Sequence, residues 1–305
     1  MKRTYAYFPG CSAKSTCSEL DLSTHAVAAL FDVSLIELEN PGCTGAREFR
    51  AISEQLHLTA NGRILALAER NGCDLVAVCD TCLLNLTETN RRLKEDSEAR
   101  DAVNRALAAE GLVYRGAIEV KHFLWVLTED LGEESLRARV VRPLRSLRAA
   151  PFYGCHIQRP KSIYGEDGED APALDRLINV LGGEVVRYAG ASKCCGFHVV
   201  NVDQKIAVRM SGSHLGNAVA GGAQCVVTPC PLCHTVFDAY QPSMERQSRD
   251  PQATPILHVS QLVGLAIGLS TEALGLSRHV VGCADVLAHI GYSRDRTGAL
   301  PQLPA

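Results

Sequence analysis

Lys193-Cys194-Cys195-Gly196-Phe197 sits at the centre of a spaced set of cysteines. Two adjacent cysteines bridge each other only with strained geometry. Both can serve one inorganic centre if other thiolates converge on it. Thirty-six positions after Cys194 comes Cys230, in Thr228-Pro229-Cys230-Pro231-Leu232-Cys233, and thirty-nine before it stands Cys155, in Phe152-Tyr153-Gly154-Cys155-His156. Cys155, Cys194, Cys195, Cys230 and Cys233 therefore read as one ligand set. The pattern recurs earlier in weaker form. Tyr7-Phe8-Pro9-Gly10-Cys11, Pro41-Gly42-Cys43-Thr44-Gly45 and Val78-Cys79-Asp80-Thr81-Cys82 repeat the three segments in order. The register agrees, since 79 − 43 = 36 and 230 − 194 = 36, and it puts Thr44 where the second half has Cys195. The chain reads as an internal duplication, with Cys11, Cys43, Cys79 and Cys82 as the first ligand set.

Strand-like runs precede these loops at Thr4–Phe8, Val33–Leu38 (read as buried), Leu75–Val78, Ala150–Tyr153, Glu184–Tyr188 and Cys225–Thr228, and a further strand is expected at Ile256–Val259. Helical spacing marks Leu20–Phe31, Leu174–Leu181, Val202–Val219 and Gln261–Leu269. It also marks a long helix over Arg47–Arg70, with Phe49, Ile52, Leu56, Ile64, Leu65 and Leu67 as its core face. Alternating strands and helices predict an α/β fold. Two pseudo-repeated Rossmann-like lobes, with short parallel sheets, hold their cysteine loops at strand C-terminal ends facing a shared cleft. The expected boundaries are a four-cysteine lobe over 1–135, an Arg-rich linker over 136–149, a five-cysteine lobe over 150–275 and a C-terminal tail over 276–305. Arg137, Arg139, Arg142, Arg145 and Arg148 crowd the linker. They read as a solvated face or as a docking surface for an acidic partner.

With 305 residues, 46% of them hydrophobic, the chain can bury a sizeable core. A formal charge of −3 argues against nucleic-acid binding. No apolar run reaches the roughly 18 residues that span a bilayer, so no direct membrane insertion is expected. The N-terminus lacks the apolar region of a signal peptide, which points to the cytoplasm. Thirteen cysteines in a chain of this size fit ligands or redox groups better than a disulfide scaffold.

Three readings of the thiols compete. Zinc needs four ligands per site and favours paired Cys-x-x-Cys knuckles, whereas each half has one such pair and the second half has a thiolate too many. Disulfides would strain the adjacent pair. Iron–sulfur clusters fit best, because thiolates are their normal ligands. Gly10, Gly42, Gly154 and Gly196 beside the ligands leave room for backbone N–H groups to approach sulfur.

Cys155, Cys194-Cys195-Gly196 and Cys230-x-x-Cys233 resemble the cysteine-rich CCG domain. Two such domains, from Tyr5 to about Leu269 and without a ferredoxin motif, resemble the B subunit of heterodisulfide reductase. The resemblance implies a noncubane [4Fe–4S] cluster on Cys155, Cys194, Cys195, Cys230 and Cys233, acting on thiols or disulfides. It also implies two partners, a small iron–sulfur C subunit and a flavoprotein A subunit. Thr44 departs from the family's five-cysteine pattern. The first set, Cys11, Cys43, Cys79 and Cys82, is therefore expected to hold a cubane [4Fe–4S] relay cluster. The resemblance extends to heterodisulfide-reductase-like complexes of bacterial sulfur oxidation, where the substrate would be a thiol, a disulfide or lipoate-bound sulfur. The alternative is an electron-transfer subunit of a glycolate- or lactate-oxidase-type complex. A zinc-bound assembly module is disfavoured by the fifth cysteine.

His156 and His198 flank the second set and are candidate proton donors for a substrate thiolate, against a reading as local hydrogen-bonding groups. His234 reads as the start of a helix. His122 and His258 read as duplicated structural positions. Arg159 and Lys161 could meet an anionic substrate, though surface charge is the plainer reading. Cys17, Cys73, Cys225 and Cys283 fall outside the repeat and read as inert thiols.

Overall fold

The computed structural model describes residues 2–164, 172–245 and 253–292. Two four-stranded parallel sheets share one topology. β1 (Arg3–Phe8), β2 (Val33–Glu37), β3 (Leu75–Ala77) and β4 (Val120–His122) lie in the order β2-β1-β3-β4. β5 (Arg148–Pro151), β6 (Glu184–Val185), β7 (Cys225–Thr228) and β8 (Ile256–His258) repeat it as β6-β5-β7-β8. Phe8 pairs with Ala77 in one sheet and Pro151 with Val227 in the other. In each sheet the order reverses between the two central strands, and the crevice beyond their C-terminal ends is where α/β folds build sites. The expected α/β architecture with two repeated lobes is present.

The main helices are α1 (Ser18–Leu30), α2 (Glu48–Ile52), α3 (Glu54–Arg70), α4 (Asp80–Glu95), α5 (Ser97–Leu107), α6 (Glu133–Arg139), α7 (Ala173–Val180), α8 (Gln204–Ala220), α9 (Pro231–Ala239) and α10 (Val259–Ala266). The long helix expected over Arg47–Arg70 is broken at Ser53. Its backbone is extended there, and its hydroxyl accepts from the Leu56 amide at 3.3 Å to cap α3. The break rotates the apolar face. Ile52 is 74% exposed and Leu56 39% exposed, whereas Leu58, Ile64, Leu65 and Leu67 are buried. The strand at Val33–Leu38 is likewise less buried than its composition suggests. It lies at a sheet edge, and Ile36 and Glu37 face solvent.

Two apolar cores hold the molecule together, and both draw on both halves. One joins Tyr7, Val76 and Phe123 to Leu177, Leu257 and Leu262; the other joins Phe8, Leu65 and Leu86 to Phe152, Val226 and Phe237. A hydroxyl pair, Ser23 and Ser260 at 2.7 Å, ties α1 to α10 across the halves. The Arg-rich stretch between the sheets is pinned rather than free. Leu144 and Leu147 are fully buried, and the Val141 and Arg142 amides both donate to the Ala266 carbonyl. Arg139 stacks on Phe31, Arg142 stacks on Tyr292 and Arg148 pairs with Glu184, which leaves Arg137 and Arg145 exposed. The segment expected to be a tail from residue 276 is partly core, since Leu276, Val281, Val286 and Ile290 are buried. Residues 293–305 lie outside the described residues.

Because the cores are shared, Leu262→Ala is expected to cost about 2–5 kcal/mol and to shift one common unfolding transition. Chemical denaturation followed by circular dichroism and tryptophan fluorescence checks this, with coincident midpoints expected from both probes.

Candidate metal centre

Each thiol set is assembled by the same three local devices. Cys11 and Cys155 follow β1 and β5, after glycines with φ of +77° and +68°. A Cβ on Gly10 would stand 3.1 Å from Cys82 Sγ, and one on Gly154 would stand 3.2 Å from Cys233 Sγ. A left-handed glycine is therefore needed for the strand end to come this close to the thiols. Cys79 and Cys230 are the N-cap residues of α4 and α9, so Cys82 and Cys233 fall in the first turn. The partial positive charge of a helix N-terminus favours thiolate there. The Gly45 amide donates to Cys43 Sγ at 3.3 Å, and the Gly196 amide donates to Cys194 Sγ at 3.4 Å.

The departure at Thr44 has a visible counterpart. In the second half Cys195 lies beside Cys233, and the two thiols shift each other's ionisation. In the first half the Thr44 hydroxyl donates to Cys82 Sγ at 3.5 Å. Thr44 thus occupies the place of Cys195 and offers a hydroxyl instead of a thiol. Asn61 and Asn85 grip its carbonyl.

The second-half thiols interact in a chain from Cys155 through Cys194, Cys195 and Cys233 to Cys230. Cys230 in turn meets Cys79, which meets Cys82. The two sets therefore lie next to each other. Cys194 is lowered to about 2 by hydrogen bonds from Cys155 and then Cys195. Cys11 is lowered to about 6 by its hydrogen bond with Cys43. Burial pushes Cys230 up to about 12. Cys11 and Cys43 are exposed, whereas Cys79, Cys82, Cys195, Cys230 and Cys233 are buried.

The donor set fits a cluster better than a single ion. Thiolates bound to one zinc lie about 3.8 Å apart, given Zn–S of about 2.3 Å and tetrahedral angles. Among the described residues, no three of the nine thiols bring their sulfurs within 4.8 Å of one another. The sulfurs line a wider space, and all nine donors are the thiolates that iron–sulfur clusters use.

His156 is held on both nitrogens. Nε2 lies 3.4 Å from Arg47 Nη2, and Nδ1 lies 2.9 Å from Thr81 Oγ1. Since guanidinium only donates, Nδ1 carries the proton and donates to Thr81. Burial, then Arg47, lowers its pKa to about 4. His198 lies beside it, with ring centroids 5.9 Å apart. His122 and His258 are buried N-caps of the helices after β4 and β8, and His258 Nε2 also holds the Pro229 carbonyl at 3.0 Å. Their structural reading is supported. Cys73 Sγ meets the Asn71 carbonyl at 3.3 Å, Cys283 Sγ lies 3.5 Å from His279 Nδ1, and burial pushes the Cys225 thiol up.

A cavity of about 1910 Å³ opens between the halves and reaches Cys155, Cys194, His156 and His198. Arg47 and Arg50 enter its lining from the first half, and Arg159 and Lys161 from the second. Sequence reading missed Asp80, Arg47 and Thr81. Asp80 and Thr81 lie inside the Cys-x-x-Cys of the first half, a position that marks them as neighbours of the site. Nothing local marked Arg47, which is brought in by the turn before α2.

The CCG cysteine-rich domain matches residues 5–87 and 149–238. The chain is 37% identical to the 8-methylmenaquinol:fumarate reductase membrane anchor subunit of Wolinella succinogenes, over 92% of this chain and 98% of that protein. It is 30% identical to the B subunit of the ferredoxin/F420H2-dependent CoB-CoM heterodisulfide reductase of Methanosarcina acetivorans, over 93% and 95%. A crystal structure of a hypothetical protein from Helicobacter pylori shares the fold, with a TM-score of 0.75 at 19% identity over 92% of this chain and 52% of that one.

Gly154→Ala tests the close approach, with Gly72→Ala as control. Gly72 has the same φ of +68° but open space around it. Both should lose about 1–2 kcal/mol to left-handed strain. Only Gly154→Ala should also lose bound iron, counted per chain after anaerobic reconstitution.

Proposed function

The chain belongs to the family of CCG cysteine-rich-domain proteins, and on that premise we propose that it is the iron–sulfur subunit of a heterodisulfide-reductase-like oxidoreductase complex, with thiol/disulfide chemistry at its second thiol set. The observation that carries the proposal is the cavity, whose lining includes Cys155 and Cys194 and none of the four first-set thiols. The ligands proposed for a noncubane cluster are Cys155, Cys194, Cys195, Cys230 and Cys233. Those proposed for a cubane are Cys11, Cys43, Cys79 and Cys82, with Thr44 leaving that set at four. Bound there, the two clusters would supply one-electron redox capacity, and the noncubane centre an iron site open to sulfur.

The chain's own residues do the rest. Arg47, Arg159 and Lys161 give the cavity a positive wall that attracts an anionic thiol or disulfide. His156, neutral at pH 7 and clamped between Thr81 and Arg47, fixes the wall beside Cys155. His198 is the proton donor we assign to a departing substrate thiolate, and His156 packs beside it as a positioning group. The Cys79–Cys230 contact brings the sets close enough for electrons to pass between them. The exposed Cys11 and Cys43 put the first set at the surface. Small iron–sulfur and flavoprotein subunits, in the cytoplasm, are the partners this fits.

A second reading rests on the relative named as a membrane anchor subunit of a quinol:fumarate reductase. In it the chain passes electrons from a quinol. No helix among the described residues is long and apolar enough to cross a membrane. Val202, 86% exposed, and Ile206 project beside Lys205 and Arg209 near a second opening onto Cys194, which suits a surface contact. The glycolate- or lactate-oxidase-type assignment gains no support from these relatives.

The test is electron paramagnetic resonance of the anaerobically purified, oxidised protein. About eight irons with matching sulfide are expected per chain. Added thiol should shift the second-set signal. Cys195→Ser should abolish that shift and the turnover while keeping about four irons. A shift with a quinol analogue and none with thiols moves the assignment to the second reading, and a silent signal with both sinks the catalytic role.

A further inference from the structure

Cys17 opens α1 as its N-cap, and Glu19 lies in the first turn. From the other half, α9 presents His234 to them. Cys17 Sγ and Glu19 Oε1 each lie 4.0 Å from His234 Nδ1, and the three ligand atoms fall within 4.8 Å of one another. All three residues are buried, at 2%, 4% and 1% exposure. None belongs to the thiol sets described above.

We propose that Cys17, Glu19 and His234 form a zinc site that staples the first half to α9. Thiolate, carboxylate and neutral imidazole are the mixed donors that zinc takes. The charges balance, since one thiolate and one carboxylate cancel the two charges of the ion. Without a cation, the same groups are an expensive thing to bury. Donors on one zinc lie about 3.5 Å apart, given Zn–N of about 2.0 Å and Zn–S of about 2.3 Å. The two separations from His234 Nδ1 need to close by about half an ångström, and the one between Cys17 and Glu19, within 4.8 Å, by at most about 1.3 Å. Around the donors the supports are in place. The Thr235 hydroxyl sits 2.9 Å from Cys17 Sγ and, turned away from the Pro231 carbonyl 2.8 Å from it, donates to the thiolate that zinc would hold. His234 Nε2 is buried with no hydrogen-bond partner among the described residues, and the His279 ring packs edge-on at 4.8 Å. The fourth position is left to water.

The other group of suitable donors, Asp21, His25 and Glu37, makes the contrast. Lys14 Nζ already sits 2.8 Å from Asp21 and from Glu37, so that group has its cation. Among the groups packed around Cys17, Glu19 and His234, Arg278 donates to Ser18 Oγ at 2.6 Å, and its charge only partly offsets the burial that raises the Glu19 carboxyl. Asp238 is spent on the Val280 and Val281 amides.

The site is tested on the full chain, purified anaerobically after growth with added zinc. Zinc, iron and sulfide are counted together, and the zinc shell is read by X-ray absorption. The expected result is about one zinc per chain, with one sulfur near 2.3 Å and nitrogen or oxygen near 2.0 Å. Cys17→Ser should weaken zinc retention against a chelator by at least ~10-fold, with iron and sulfide unchanged. Glu19→Gln, which keeps shape and removes charge, should do the same and serves if Cys17→Ser fails to fold. An all-sulfur shell would place the zinc in the thiol sets and overturn the proposal. So would no zinc above trace, or zinc retained equally by both variants.

Discussion

Cys79 and Cys230 meet across the two halves at the N-termini of α4 and α9, and that contact constrains everything around it. It sets two otherwise separate thiol sets side by side. It also forces the residues after the two cysteines into the space between the sets. There the repeat is broken, because Asp80 follows Cys79 and Pro231 follows Cys230. Neither Asp80 oxygen has a hydrogen-bond partner among the described residues, and burial, then Cys230, raises its carboxyl well above the usual range. His122 Nε2 lies 3.5 Å away and is itself lowered to about 3 by burial. A neutral acid and a neutral imidazole between two thiolate sets avoid adding negative charge where it already accumulates.

The grouping of the thiols was legible because its signal is local. Cys11 and Cys155 follow strands, Cys79 and Cys230 open helices, and the 36-residue register between Cys43 and Cys79 recurs between Cys194 and Cys230. What was not legible depended on position in the assembly. Ile36 is as apolar as a core residue but lies at a sheet edge. Ile52 fits the helical period but precedes the break at Ser53. The stretch over 276–292 is weakly patterned, yet Leu276, Val281, Val286 and Ile290 are buried in it, with Arg278 reaching Ser18 of the first half and the Val280 and Val281 amides donating to Asp238 of the second. Cys17 and His234 stand 217 positions apart, a separation at which no spacing rule operates.

Charge is distributed with the same asymmetry as the ligands. The chain is formally acidic, at −3. The cavity between the halves nevertheless gathers Arg47, Arg50, Arg159, Lys161 and Arg176 against Glu88 and Glu129. Arg50 pairs with Glu88 at 2.8 Å and Arg176 with Glu133 at 3.3 Å, which leaves Arg47, Arg159 and Lys161 as the net positive part of the lining. Such an excess in a cleft focuses potential and raises the local concentration of oppositely charged ligands.

The cores shared between the halves bear on how such a duplication diverges. Once Tyr7 and Leu257, or Phe8 and Phe152, occupy one packed interior, neither repeat can drift alone, because a change in one must be accommodated by the other. Divergence then shows in polar exchanges beside the thiols, with Thr44 opposite Cys195 and Asp80 opposite Pro231, all four buried. Fusion of the interiors thus turned two copies of one unit into a single body whose halves differ chiefly where they meet their thiols.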